Sequence, residues 1–357
     1  MKRVFLVVFL LLFLTAPVLA AEDAGIDTEV LEEGLPADAV DLMQDISAQE
    51  PDFWDGTKSV FLRALARTDE SLQSGLRLCA VLLGLVTICA VAELSSVSKF
   101  GGAVSAAGAL GITAAFVGEF HAMVTMAQNT VQTLSDYSAC LIPVLAAAAA
   151  MSGGINAAAA LHTGTLLFSE LLMQLISKLL IPGVFFYLAV ATAEAALSSD
   201  ALTELREFIG WLIAKCLRIM VYVFLAFLSV TGVIGGAADA IAIKTTKAAM
   251  SGMVPVVGGM LSDASETVLA SASVIKNSIG VFGMIAVLAI CILPFLKVGV
   301  QYLLLKVTAA ISGTVALKPH VKLLKSFSTA MGYLLAMCGT CGLLLLISTV
   351  CFLKVVV

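Results

Sequence analysis

Apolar residues in this chain come in long blocks, not in the alternating or one-in-three patterns of a soluble domain. Windows of about 20 residues with few charges lie near 78–98, 101–122, 139–161, 171–196, 209–236, 278–296, 298–317 and 329–353. They predict an all-α polytopic transmembrane protein of about eight spans. Two stretches depart from the block pattern. Between Thr57 and Leu76, Val60, Phe61, Leu65, Leu72 and Leu76 recur at roughly helical spacing among Lys58, Arg63, Arg67 and Asp69, predicting an amphipathic helix on the membrane surface that feeds the first span. Residues 251–278 read S-G-M-V-P-V-V-G-G-M-L-S-D-A-S-E-T-V-L-A-S-A-S-V-I-K-N-S. Pro255 and the Gly258-Gly259 pair break backbone hydrogen bonding where hydrocarbon demands it unbroken, so this segment is expected either to be re-entrant, lining a protein-enclosed site, or to lie at the membrane surface. Asp263 and Glu266, three apart, share a helical face and suit the start of a helix running toward Lys276.

Composition strengthens this reading. The chain is 60% hydrophobic and 13% charged, with mean hydropathy +1.06, whereas soluble domains carry about 25% charged residues. Its charge is uneven. Fourteen acids face only Lys58, Arg63 and Arg67 between Ala21 and Leu76, while fifteen Lys and Arg face eleven acids from Arg77 onward. The first residues resemble a signal peptide: Lys2 and Arg3, an apolar run from Val4 to Leu14, then Pro17-Val18-Leu19-Ala20. Cleavage after Ala20 is the expectation, with an uncleaved anchor as the alternative; either places the acidic segment outside the cytosol. The division is therefore 1–20 signal peptide, 21–76 acidic extracytoplasmic segment and 77–357 membrane domain. Counting spans from an exported start places Lys99, Lys244, Lys247, Lys318, Lys322 and Lys325 inside, and Asp136 and the loop 200–207 outside. The positive-inside rule then holds at the most basic loops, with Lys297 and Lys354 against it.

Enzyme signatures are missing: the chain has no H-E-x-x-H, G-x-S-x-G, Walker loop or dinucleotide fingerprint. The three histidines, His121, His162 and His320, lack metal-ligand spacing. No cofactor and no nucleic-acid partner are expected. Cys338-Gly-Thr-Cys341 is formally a C-x-x-C, but both thiols lie in the last apolar block, where packing is the simpler role than redox chemistry. Ionisable groups at depth are the better clue, because such groups face water or one another. Glu93, Glu170, Lys178, Glu194, Lys215, Arg218 and Lys306 qualify. Glu170 and Lys178 are eight apart, too far for direct contact on one helix, and Lys215 and Arg218 lie within reach of the outer loop for snorkelling.

The prolines suggest a weak internal repeat. Pro143 and Pro255 are separated by the same 112 residues as Pro182 and Pro294, and Gly153-Gly154 and Gly258-Gly259 follow the first proline of each pair. Paired broken helices of this kind also occur in transporters.

Pro255-Val256-Val257-Gly258-Gly259-Met260-Leu261-Ser262-Asp263, with Glu266-Thr267 and Lys276-Asn277 ahead of Ile279-Gly280, resembles the hallmark stretch of the stage III sporulation protein AE family of endospore-forming bacteria. The resemblance covers essentially the whole chain in architecture, and specific residues at about 140–182 and 250–297. The resemblance implies a permease-like, multi-pass subunit of the channel or secretion complex joining mother cell and forespore. That subunit would sit in the mother-cell-derived outer forespore membrane, in contact with membrane lipid. Its implied partners are the other stage III sporulation A operon membrane proteins and, through the complex, forespore stage II sporulation protein Q. No catalytic residues carry over. Pro143, Gly153, Gly154, Glu170, Lys178, Pro182, Glu194, Pro255, Gly258, Gly259, Asp263, Glu266, Lys276 and Pro294 are the expected pathway or assembly positions. An autonomous secondary transporter for a small solute is the alternative.

Overall fold

Long helices follow from long apolar blocks, and the described residues build almost nothing else. The structure, a computed structural model, describes residues 29–44, 46, 52–95, 101–152, 155–253, 258–314 and 317–354, with side chains described throughout these except at 29, 30, 70, 94, 95, 101, 231–253 and 258–276. Among the described residues there is no strand. Among the described residues, three helices precede the apolar body: α1 (Glu29–Glu33), α2 (Ala37–Leu42) and α3 (Phe53–Ala66). The body comprises α4 (Asp69–Ser95), α5 (Gly101–Met151), α6 (Ile155–Leu175), a π turn (Ile176–Leu180), α7 (Ile181–Leu197), α8 (Asp200–Met253), α9 (Gly258–Ser312) and α10 (Lys318–Lys354). The expected signal peptide lies outside the described residues.

The surface helix begins earlier and ends earlier than its hydrophobic spacing predicts. Asp52 sets its start: the carboxylate accepts from the amides of Trp54 and Asp55 at 2.8 and 3.2 Å, satisfying donors that a helix N-terminus leaves unpaired. A break at Arg67 and Thr68 then separates α3 from α4. The helix α3 packs on α9, where a Cβ at Gly56 would come within 2.7 Å of Ile285 Cδ1.

Among the described residues, six stretches are long and apolar enough to cross a membrane: Ser71–Glu93, Gly102–Met151, Ile155–Leu197, Asp200–Val230, Asn277–Ser312 and Lys318–Lys354. The difference from eight windows has a physical cause. Windows 101–122 and 278–296 are not followed by turns; they continue through α5 and α9 into the windows after them. Hydropathy dips between residues 123 and 138 because one face of α5 is polar, while Val124, Ala127, Val131, Leu134 and Tyr137 stay buried at helical spacing. The three longest helices, α5, α8 and α9, have 51, 54 and 55 residues. At 1.5 Å per residue each runs roughly 75–80 Å, more than twice the ~30 Å hydrocarbon core. These helices therefore extend beyond a single bilayer crossing.

Packing couples all six long stretches. The inward face of α5 supplies Phe116, Phe120 and Tyr137 to the core, and Phe116 stacks on Phe327 of α10 at 4.0 Å between ring centroids. Gly164 lets α6 approach α8 closely, since a Cβ there would occupy the ring of Phe227. Cys338 and Cys341 are buried against α9, where a Cβ at Gly342 would sit 2.7 Å from Cys291 Sγ.

Candidate functional site

Glu194 is an expected buried charge that the fold brings together with partners from α8 and α10. It lies in the last turn of α7 and is 5% exposed. Ser198 ends that helix in the left-handed region, with φ 49°, and its amide donates to the Glu194 carbonyl at 2.8 Å. This tight reversal turns α8 back alongside α7. Thr203 Oγ1 donates to Glu194 Oε1 at 2.7 Å, and Arg206 Nε donates to Oε2 at 2.6 Å. Lys322 Nζ of α10 stands 3.5 Å from Oε1. Arg206 also reaches Tyr187 Oη at 3.4 Å, and Tyr187 packs edge-on against Tyr333 at 5.6 Å. Both carboxylate oxygens are thus engaged by cationic or hydroxyl donors of the same chain. The chemistry of this cluster is fastening: it pins α7, α8 and α10 together at one end of the bundle.

The cluster corrects the topology read from the sequence. The loop 200–207 and Lys322 were expected on opposite sides of the membrane, yet Glu194 joins Thr203, Arg206 and Lys322 at one end. The windows 101–122 and 139–161 share the one continuous helix α5, so the eight-window count from which those opposite sides were read does not hold before residue 200. His320 belongs to the same end, where its Nε2 lies 3.1 Å from the Ser105 carbonyl oxygen of α5.

Glu170 and Lys178 are linked by a residue that sequence spacing alone does not single out. Gln174 Nε2 donates to Glu170 Oε1 at 2.7 Å, and Lys178 Nζ donates to Gln174 Oε1 at 3.5 Å. This ladder lies on the exposed side of α6 beside Leu167, Leu171 and Leu179. It ends in the π turn, where the Ile181 amide bonds to the Ile176 carbonyl. Pro182 explains the widened turn: it has no amide to offer Lys178, and its ring would crowd that carbonyl in a regular helix. Glu119, adjacent in sequence to Phe120 and His121, turns inward and accepts from Gln301 Nε2 at 2.9 Å. Gln301 is fully buried. Lys306 donates to Tyr302 Oη at 2.9 Å, and Lys215 and Arg218 are exposed on α8.

The remaining expected positions do not assemble with Glu194. Pro143 is an exposed residue inside α5, and Pro294 lies inside α9. Gly153, Gly154 and Pro255 lie outside the described residues. Helix α8 ends at Met253 and α9 begins at Gly258, so the glycine pair opens a helix and Asp263 and Glu266 lie in its first turns, with Lys276 further along it. Of the prolines paired by the 112-residue spacing, Pro182 follows the π turn and Pro294 lies inside α9 without one. Among the described residues, no three His, Cys, Asp or Glu side chains are grouped to hold a metal ion.

No solved structure matches the chain. The stage III sporulation protein AE from Bacillus subtilis (strain 168) is 27% identical over 229 residues, covering 64% of this chain and 57% of that protein. The chain thus spans less than two thirds of that relative's length in the match. The family model for stage III sporulation protein AE matches residues 39–355, which include all six membrane-length stretches. The chain belongs to the stage III sporulation protein AE family.

Proposed function

We propose that this protein is an integral membrane subunit of the complex that joins mother cell and forespore during sporulation, required for forespore development. The observation that carries this reading is the family match over residues 39–355 on a body of six membrane-length apolar helices. A sporulation role and a membrane setting follow from it directly. The finer parts extend that footing: residence in the outer forespore membrane, association with the other stage III A proteins and with stage II protein Q, and a part in conduction or secretion.

Orientation follows from charge. Lys318, Lys322 and Lys325 open α10 at the Glu194 end, whereas the segment leading into α4 is strongly acidic. The positive-inside rule assigns the Glu194 end to the mother-cell cytosol and residues 29–66 to the space outside it. The ends of α8 and α9 at Met253 and Gly258 then face the intermembrane space, with Lys244 and Lys247 on that side, against the positive-inside rule and against the side expected from eight windows.

The test is genetic. Deleting the gene should leave vegetative growth intact and abolish heat-resistant spores, with the block after engulfment. A Gly258→Leu, Gly259→Leu double variant should accumulate in the membrane yet fail to restore spore yield, because it favours a continuous helix through the break. Growth defects outside sporulation would favour an autonomous transporter. Full spore yield from the deletion strain would refute the proposed role.

A further inference from the structure

Many hydroxyls on these helices donate to a carbonyl of the preceding turn. Thr130, Ser138, Ser152, Thr192, Ser326 and Thr349 do so at 2.7–3.0 Å. Ser135 of α5 and Ser169 of α6 do not, and neither hydroxyl has another partner among the described residues. Both line the same cavity, whose other walls from α5, α6, α8 and α10 include Val131, Leu134, Leu172, Phe224, Leu344 and Leu345. Thr165 lines it too. Its Oγ1 lies 2.7 Å from Ser348 Oγ of α10, and both residues are 1% exposed. One hydroxyl of that pair donates and the other accepts, so Thr165 keeps a proton or a lone pair for the cavity. Ser135, Phe168 and Ser169 are the lining residues that are not fully buried, so the cavity meets the surface between α5 and α6.

We propose that this cavity binds a single water molecule, which ties α5 to α6 through Ser135, Ser169 and Thr165. Size decides against a larger guest. The space open to the centre of a water-sized sphere is about 20 Å³, and one water needs roughly 10–15 Å³ so measured, together with two to four polar partners. Three hydroxyls supply the partners, and each can turn its hydrogen or a lone pair toward a shared guest. A hydrocarbon guest would leave Ser135 and Ser169 unpaired against apolar walls, which is costly. A water removes that cost and adds a bridge between two helices. The site stands on this geometry and is independent of the role in sporulation.

The test is thermal unfolding of the full chain purified in detergent, because a wet and a dry cavity give opposite signs. With a water in place, Ser135→Ala and Ser169→Ala each remove one of its hydrogen bonds and should lower the midpoint by about 2 °C. The double variant should lose less than the sum, since both changes act on one molecule. In a dry or hydrocarbon-filled cavity each change deletes an unpaired hydroxyl, and the midpoint holds or rises. A second readout detects the water itself. Phe224 and Phe116 are 1% and 0% exposed, but only Phe224 lines the cavity. Hydroxyl radicals made by X-ray radiolysis of bound water should modify Phe224 several-fold faster than Phe116, and the double variant should remove the difference. A midpoint that holds or rises in the single variants, or equal modification of the two rings, would overturn the proposal.

Discussion

Glu194 illustrates how a single intramembrane charge is made stable. Its side chain is 6% exposed and that of Arg206 17%, so neither is hydrated enough to stand alone, and their contact at 2.6 Å compensates both. Removing one partner leaves the other buried and uncompensated, which in comparable cases costs on the order of 3 kcal/mol. Lys322 is different. At 59% exposure and 3.5 Å it keeps its hydration, and its contribution is about 0–1 kcal/mol. Glu194→Ala should therefore lower the thermal midpoint of the detergent-solubilised protein strongly, and Lys322→Ala barely. A double variant Glu194→Ala, Arg206→Ala should be less destabilised than the sum of the single changes. Equal effects of the Glu194 and Lys322 changes would show that the cluster is not held by the Glu194–Arg206 pair. The acid itself was legible in the sequence as a charge at depth. Its partners were not, because Lys322 comes from a distant helix and Arg206 reads as an ordinary residue of a charged loop.

At the scale of elements, residue periodicity within a helix carried more information than average hydropathy. The stretch 123–138 reads as a connection when averaged, yet buried Val124, Ala127, Val131 and Leu134 keep α5 continuous through it. The π turn before Pro182 was equally hidden, since proline announces a disturbance without specifying whether the helix kinks, ends or widens. The break expected at Pro255 falls outside the described residues, between the end of α8 at Met253 and the start of α9 at Gly258. Close helix contacts can be tested directly. A Cβ at Gly164 would overlap the ring of Phe227, which Phe168 already packs against at 5.3 Å. Gly164→Ala should destabilise the bundle by about 1–3 kcal/mol through overpacking, measured by thermal unfolding, and Phe227→Leu should restore part of the loss. Gly111→Ala, with nothing within 4 Å of the added atom, should be nearly neutral. A Gly164 variant as stable as the parent would show that α6 and α8 are not in close contact at this level.

For the molecule as a whole, fold class and family were readable from the chain, because apolar blocks and the Pro-Val-Val-Gly-Gly stretch are local signals. The number and direction of crossings were not. They depend on which hydropathy dips are turns, and a polar helical face produces the same dip as a loop. With six membrane-length helices, the turns near 198 and 315 come to the same end, held by Glu194, Arg206 and Lys322. Eight crossings would put them on opposite sides. The most direct measurement of this arrangement is labelling of single cysteines by a membrane-impermeant thiol reagent in intact and permeabilised cells. Val40→Cys, Ala201→Cys and Lys318→Cys place the probes at exposed positions of α2, α8 and α10, in a chain otherwise free of cysteine. Position 40 should label in intact cells, and positions 201 and 318 only after permeabilisation. Labelling of position 201 together with position 40 in intact cells, while 318 stays protected, would contradict the six-crossing bundle and the common end built around Glu194.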